Sequence, residues 1–252
     1  MKINKKISRY NQSSRNGASI RYIVIHYVGA ISSAKNNCIY FCGGDRDASA
    51  HFFVDSEIWQ CIPESKAAWH CGGGLQDTGN AMNGGNRGAT LHGICTNSNS
   101  IGIELCCYRH NGIITPTPES IKTAAPLVKH LMKKYGIPAG RVVRHFDVTG
   151  KCCPNGYISA KAWAGLHEIL TGAKEVPYPV SDMRKGSSGD QVVKLQKCLN
   201  KIIGSDLDAD GEFGPATEKA VRSFQKKYKL EIDGIVGPKT RAKIKSMMNM
   251  MK

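Results

Sequence analysis

Histidine, lysine and cysteine crowd one stretch of this chain, Val142-Val143-Arg144-His145-Phe146-Asp147-Val148-Thr149-Gly150-Lys151-Cys152-Cys153-Pro154. Histidine and cysteine are the commonest zinc ligands, and a short strand followed by a turn can aim both at one ion. A second apolar run, Arg21-Tyr22-Ile23-Val24-Ile25-His26-Tyr27, brings a strand to its end at His26 in the same way. Two strand-end histidines and one turn cysteine make three ligands and leave zinc's fourth position open to water. A structural site normally fills all four positions, so this is the arrangement of a catalytic one. Taken singly, a strand histidine is more often a satisfied core residue; the set of three points to a metal. The chain also offers an acid. Glu104 lies inside the apolar run Ser100-Ile101-Gly102-Ile103-Glu104-Leu105-Cys106, where a carboxylate is costly unless it is paired or used. It is the general-base candidate.

Strands must position these groups. Residues 21–27, 100–106 and the Val142-Val143 run have the short, β-branched, apolar character of buried strands. Ser49-Ala50-His51-Phe52-Phe53-Val54-Asp55 reads as another. It continues through Ile58-Trp59-Gln60-Cys61-Ile62-Pro63, with Asp55-Ser56-Glu57 as the hairpin connection. Thr117, Pro118 and Glu119 suit the N-cap, first turn and positive dipole end of a helix. Its apolar stripe is Ile121, Ala124, Ala125, Leu127, Val128, Leu131 and Met132, and Gly136 stops it. Pro126 should kink or break that helix near Ala125. A closing helix over 159–170 turns Ala162, Trp163, Leu166, Ile169 and Leu170 to the core. The first twenty residues read as a polar, basic arm, and Cys42-Gly43-Gly44-Asp45 as a turn. The glycine- and asparagine-rich stretch 71–100 is either a substrate-facing loop or a flexible insert.

In order along the chain, I-V-I-H, S-A-H, A-W-H, S-I-G-I-E and H-F-D-V-T-G-K-C-C-P resemble the zinc-dependent N-acetylmuramoyl-L-alanine amidases of phage endolysins and bacterial autolysins. The likeness runs from about Ile20 to Leu170, and its last motif is the most specific. It implies an α/β fold, a central mixed β-sheet flanked by helices. It implies one zinc ion on His26, His145 and Cys153, with Cys153 rather than Cys152 in ligand register. The reaction it implies is hydrolysis of the amide joining N-acetylmuramic acid to L-alanine of the peptidoglycan stem peptide. Glu104 would then move the proton, and Lys151 would support the oxyanion, its other reading being a solvated turn residue. His51 and His70 fall at the cleft in this resemblance, as substrate-binding or supporting groups, with buried core histidines as the alternative.

The 252 residues suit one substantial domain and one small one. The expected division is an amidase domain over 1–172, a linker over 173–182 and a second domain over 183–252. The linker carries Pro177 and Pro179, which make it semi-extended. Beyond it the pattern D-G-x-x-G-P-x-T occurs twice, at Asp210 to Thr217 and Asp233 to Thr240. In each, D-G makes a turn and proline opens a helix at its first position. Three helices result, over 190–203, 216–229 and 239–248, and the doubled signature resembles the peptidoglycan-binding type 1 domain. A net charge of +15 favours polyanionic partners, among them a wall bearing teichoic phosphates. The basic residues are scattered and not interleaved with stacking aromatics, which argues against specific nucleic-acid binding. No stretch approaches the ~20 apolar residues of a membrane span. The basic start is not followed by an apolar segment, so synthesis in the bacterial cytoplasm is expected, with action at the cell wall after holin-type release if the chain is an endolysin. A monomer is expected.

Ten cysteines without an export signal read as reduced thiols, with Cys38, Cys42, Cys61, Cys106, Cys107 and Cys198 as small buried hydrophobes. The spacing Cys38-x3-Cys42, with Cys71 nearby, offers a second metal site, but no Cys-x2-Cys knuckle supports it. A peptidoglycan sensor without catalysis is the rival function, and the presence of Cys153 argues against it.

Overall fold

A computed structural model describes residues 1–72, 74–76, 88–173 and 178–251. The chain divides into two compact units, Met1–Lys174 and Glu175–Lys252. The first unit contains strands β1 (Asn4–Lys5), β2 (Gln12–Ser14) and β3 (Tyr22–Tyr27), helix α1 (Ala34–Cys42), and strands β4 (Phe52–Val54), β5 (Ile58–Gln60) and β6 (Lys66–Ala68). It continues with β7 (Ser100–Leu105), the hairpin β8 (Cys107–His110) and β9 (Ile113–Pro116), α2 (Pro118–Tyr135), β10 (Val142–Arg144), α3 (His145–Thr149) and α4 (Ala160–Thr171).

Six strands form a mixed sheet in the order β1-β5-β4-β7-β3-β10. Only β4 and β5 run antiparallel; the other neighbours are parallel. Parallel strands buried on both faces read as continuous apolar runs, which is why β3 and β7 were conspicuous in the sequence. Their side chains alternate between the two faces. Ile23, Ile25, Ile101, Ile103 and Leu105 enter the main core with Leu127, Val128 and Leu131 of α2 and Leu166 and Leu170 of α4. Each such side chain, fully buried, contributes about 1.5–3 kcal/mol of transfer free energy. Tyr22 and Val24 point the other way, into a smaller cluster with Cys95, Val143 and Val148. His26 and Glu104 follow that second face by the same period.

The polar N-terminal segment is not a free arm. β1 joins the sheet beside β5, and β2 pairs antiparallel with β6. Helix α2 runs unbroken through Pro126, and Gly136 ends it in the left-handed conformation, φ +63°. Packing of its apolar stripe against the sheet outweighs the hydrogen bond that proline removes. On α4, Leu166 and Leu170 are buried but Ile169 is 52% exposed, so the inward stripe is narrower than the sequence suggested. Part of the 71–100 stretch, residues 73 and 77–87, and linker residues 174–177 lie outside the described residues.

The second unit is three helices, α5 (Asp190–Ile203), α6 (Pro215–Lys227) and α7 (Pro238–Met250). Val192, Leu195, Leu199, Val221, Phe224 and Ile244 fill its core. Each D-G turn is locked by a buried glutamine. Gln196 Nε2 donates to Asp210 Oδ1 (2.7 Å), Glu212 O (3.1 Å) and Thr217 Oγ1 (3.1 Å), while its Oε1 accepts from Gly211 N–H (3.0 Å). Gln225 repeats the pattern with Asp233, Ile235, Thr240 and Gly234 at 2.7, 2.9, 3.2 and 2.9 Å. Gly211 and Gly234 have φ of +81° and +72°, which explains glycine at both turns.

Candidate active site

Three neighbouring strands deliver the site. In the register of β3 with β7, His26 lies opposite Glu104. In the register of β10 with β3, Arg144 lies opposite Ile25, which sets His145 level with His26. His145 does not end a strand, as the sequence suggested, but opens the single turn of α3. Asp147 causes the change: its carboxylate accepts from the Arg144 backbone N–H (2.8 Å) and pairs with the Arg144 guanidinium (2.6 Å). Arg144 is only 1% exposed, and breaking such a buried pair typically costs ~3–5 kcal/mol. Gly150 closes α3 with φ +84°, and its N–H donates to Phe146 O (2.9 Å). The chain then returns so that Phe146 N–H donates to Cys153 O (2.9 Å). That bond folds the turn back and brings Cys153 beside the two histidines.

One ligand atom from each of His26, His145 and Cys153 lies within 4.8 Å of the other two. His26 Nδ1 is 3.7 Å from Cys153 Sγ, and all three residues are at most 5% exposed. Burial, then the neighbouring His145, His70 and Lys151 charges, holds His26 neutral, well below its ordinary pKa. Burial also takes His145 down to about 4. Neutral imidazole is the ligating form. Burial and the Glu104 charge push the Cys153 thiol up, so a cation binding there must displace its proton. His145 Nε2 is buried without a hydrogen-bond partner. A buried orphan nitrogen is costly unless something binds it, and two imidazoles with one thiol are a donor set suited to zinc.

Glu104 is half-buried, and its Oε2 is sealed from solvent without a partner. Desolvation raises its pKa to about 8, against the opposing charge of Lys151. Lys151 itself is exposed, and its charge is felt by His26, His145 and Glu104 alike. A carboxyl raised by burial beside a cluster of neutral imidazoles is the electrostatic pattern of a reaction centre.

The N-acetylmuramoyl-L-alanine amidase family matches residues 16–156, more than half of the chain. The chain belongs to that family. A peptidoglycan binding domain family matches residues 188–244. The chain is 33% identical to the N-acetylmuramoyl-L-alanine amidase CwlL of Bacillus licheniformis, over 95% of its own length and 71% of that protein's. It is 29% identical to the amidase CwlA of Bacillus subtilis, over 96% and 95% of the two chains. Among solved structures, a mutant endolysin from Bacillus subtilis superposes with a TM-score of 0.51 at 25% identity, covering 68% of this chain and 99% of that one.

Within this amidase, His51 and His70 do not line a cleft. His51 is fully buried; its Nδ1 accepts from Gly102 N–H (3.0 Å), and its Nε2 lies 3.0 Å from Lys66 O, to which it donates. Both ring nitrogens are thus engaged inside the fold, which leaves His51 nothing to offer a substrate. His70 stands behind His26, with its Nδ1 3.1 Å from His26 Nε2 and its Nε2 3.2 Å from Ser100 Oγ. The network assigns the proton to His26 Nε2, which leaves Nδ1 facing Cys153. Metal-binding histidines are commonly held in this way through the second nitrogen. Gly102 makes room for the arrangement, since a Cβ there would lie 2.6 Å from His70 Cγ.

Sequence reasoning missed Arg15. It is 8% exposed, donates to Glu64 O (2.8 Å), Ser98 O (2.6 Å) and Ser100 O (3.0 Å), and sits 2.9 Å from His51 Nε2. It ties the N-terminal segment to the base of β7, below Glu104. The Arg144–Asp147 pair was missed for the same reason. Its partners are visible only once the strands are paired, although Asp147 lies within the H-x-D motif.

Proposed function

We propose that this amidase is zinc-dependent and cleaves the amide between the lactyl carboxyl of N-acetylmuramic acid and L-alanine of the peptidoglycan stem peptide. The observation that carries the metal is the convergence of His26, His145 and Cys153, with His145 Nε2 buried and unpartnered. These three residues would hold the ion. Zinc bound there would lower the pKa of water toward ~7 and polarise a carbonyl. Glu104 accepts the proton of the attacking water and passes it to the leaving α-amine of L-alanine, so the C–N bond breaks to a carboxylate and an amine. Burial raises the Glu104 carboxyl to about 8, so it holds a transferred proton more firmly than an ordinary carboxylate, which the second half of that transfer needs. The Lys151 ammonium, at the exposed edge, stabilises the oxyanion of the tetrahedral intermediate. His70 fixes the tautomer and tilt of His26.

The C-terminal unit supplies tethering. Holding an enzyme on an insoluble polymer can raise apparent affinity by ~10²–10⁴ without touching the chemistry. Among the described residues, no helix is long and apolar enough to cross a membrane.

The test is metal analysis of the purified chain, paired with an end-group assay on digested walls. One zinc at the amidase site and new N-terminal alanine are expected. Glu104→Gln should keep the zinc and wall binding while hydrolysis falls by ~10²–10⁴. A parent protein that binds walls yet releases no alanine amines would be a sensor.

A further inference from the structure

A second convergence of thiols lies outside the reaction centre. Cys38 and Cys42 are four residues apart on α1, so their side chains leave the same face of the helix. Cys61 follows β5, and its backbone N–H donates to His51 O (2.9 Å), which holds it beneath that face. The three Sγ atoms lie within 4.8 Å of one another, and those of Cys42 and Cys61 are 3.9 Å apart. An ion bonded to sulfur at ~2.3 Å sets its sulfurs about 3.8 Å apart in tetrahedral geometry and about 4.0 Å apart in trigonal geometry. The Cys42–Cys61 edge already has that length, and the third sulfur lies within 4.8 Å of both. Cys38 and Cys61 belong to an apolar cluster with Ala34, Phe53 and Ile62, and Cys42 packs against it, so the three sulfurs meet inside a packed setting.

We propose that Cys38, Cys42 and Cys61 form a second metal site, one that takes a single soft, thiophilic cation such as zinc. Sulfur-only donors select that class of ion over magnesium or calcium. The nearest oxygen is the Lys6 carbonyl, 3.3 Å from Cys38 Sγ and 3.1 Å from Cys42 Sγ, which borders the cluster on the β1 side. Cys38 and Cys61 are fully buried, and half-buried Cys42 gives the ion its way in. Three thiolates around a divalent ion leave one negative charge, and Lys6 stands close enough to compensate part of it. The role is structural. The ion fastens the C-terminal end of α1 to β5 and to the chain leaving β1, a corner of the sheet that otherwise rests on short strands. Sequence spacing pointed to Cys71 as the third partner; the fold brings Cys61 instead, because β5 runs under α1.

The test uses the full chain, purified in reductant, loaded with zinc and freed of excess metal. Two zinc ions per chain are expected, and Cys42→Ser should retain one while keeping amidase activity and melting at a lower temperature. Loaded with cadmium, the thiolate charge-transfer absorption should fall from four sulfur bonds (Cys153 and the three proposed here) to one in that variant. If Cys42→Ser does not fold, the parent chain still decides the matter, since zinc should slow alkylation of Cys42 by iodoacetamide. A single zinc in the parent, or equal alkylation of Cys42 with and without zinc, would overturn the proposal. So would a disulfide between two of these cysteines, seen as a loss of two hydrogens in the intact mass.

Discussion

Gly102→Ala tests whether His70 orients His26, without touching any residue proposed to bind the ion. The new Cβ would stand 2.6 Å from His70 Cγ and 2.9 Å from Cδ2 and Nδ1. Carbon atoms rest at about 3.5 Å or beyond, so the ring must move by about 0.9 Å. It has little slack, being held between His26 Nε2 at 3.1 Å and Ser100 Oγ at 3.2 Å. A displacement of that size stretches one of these bonds to about 4 Å, past hydrogen-bonding range. If the His26 bond is lost, a buried N–H is stranded, at a cost of ~1–3 kcal/mol. Loss of such a supporting partner typically lowers metal affinity by ~10–100-fold. Overpacking itself destabilises by ~1–3 kcal/mol, so the fold is checked first by thermal melting. The assay is zinc affinity by competition with a chromophoric chelator, followed by activity in excess zinc. Affinity should fall by one to two orders of magnitude and activity should recover as zinc is added. A folded variant whose affinity stays within about twofold of the parent would refute a positioning role for His70.

Cys153→Ser should lose the catalytic zinc and all wall-lytic activity, whereas Cys152→Ser should keep both. Side chains of adjacent residues diverge, so only one can complete the site, and the reverse outcome in metal analysis would show a shifted register. Cutting the chain between the two compact units should leave an amidase that cleaves a small soluble muramyl-peptide normally but clears walls poorly. Equal losses on both substrates would mean that the helical unit helps build the active site. Gln225→Ala strands the Gly234 N–H and the groups around it and should destabilise the C-terminal unit by ~1–3 kcal/mol. Calorimetry should show the loss in one transition only, and a shift in both would contradict independent folding of the units.

The candidate site was legible in the sequence wherever local pattern carries it. His26 and Glu104 interrupt apolar strands, and the turn around Cys153 is spelled by Thr149 and Gly150 before it and Pro154 after it. The sheet and the three C-terminal helices were legible for the same reason, since burial periodicity and capping residues are local signals. What stayed hidden depends on strand order. Arg15 reads as one more charge in a basic segment until β7 lies over it. For His70 the sequence leaves a cleft residue, a supporting group and a core histidine open; only the pairing of β3 and β7, with the space Gly102 leaves, sets it behind His26. Asp147 turns His145 from a strand end into a helix start through a three-residue bond that no periodicity announces. Gln196 and Gln225 lie inside helices, and nothing in their own turns marks them as the locks of distant loops.

Those two glutamines make the C-terminal unit a pair of equivalent sockets. Each carboxamide meets the same four kinds of group: an aspartate, a glycine N–H, a backbone carbonyl and a threonine hydroxyl. In both copies they arrive on one contiguous stretch, 210–217 or 233–240. A stretch that carries every partner its glutamine requires is a portable part. Residues 210–217 grafted in place of 233–240, or the reverse, bring a complete set of plugs to the other socket. The turns can therefore be exchanged by cassette, while the helices that frame them stay unaltered.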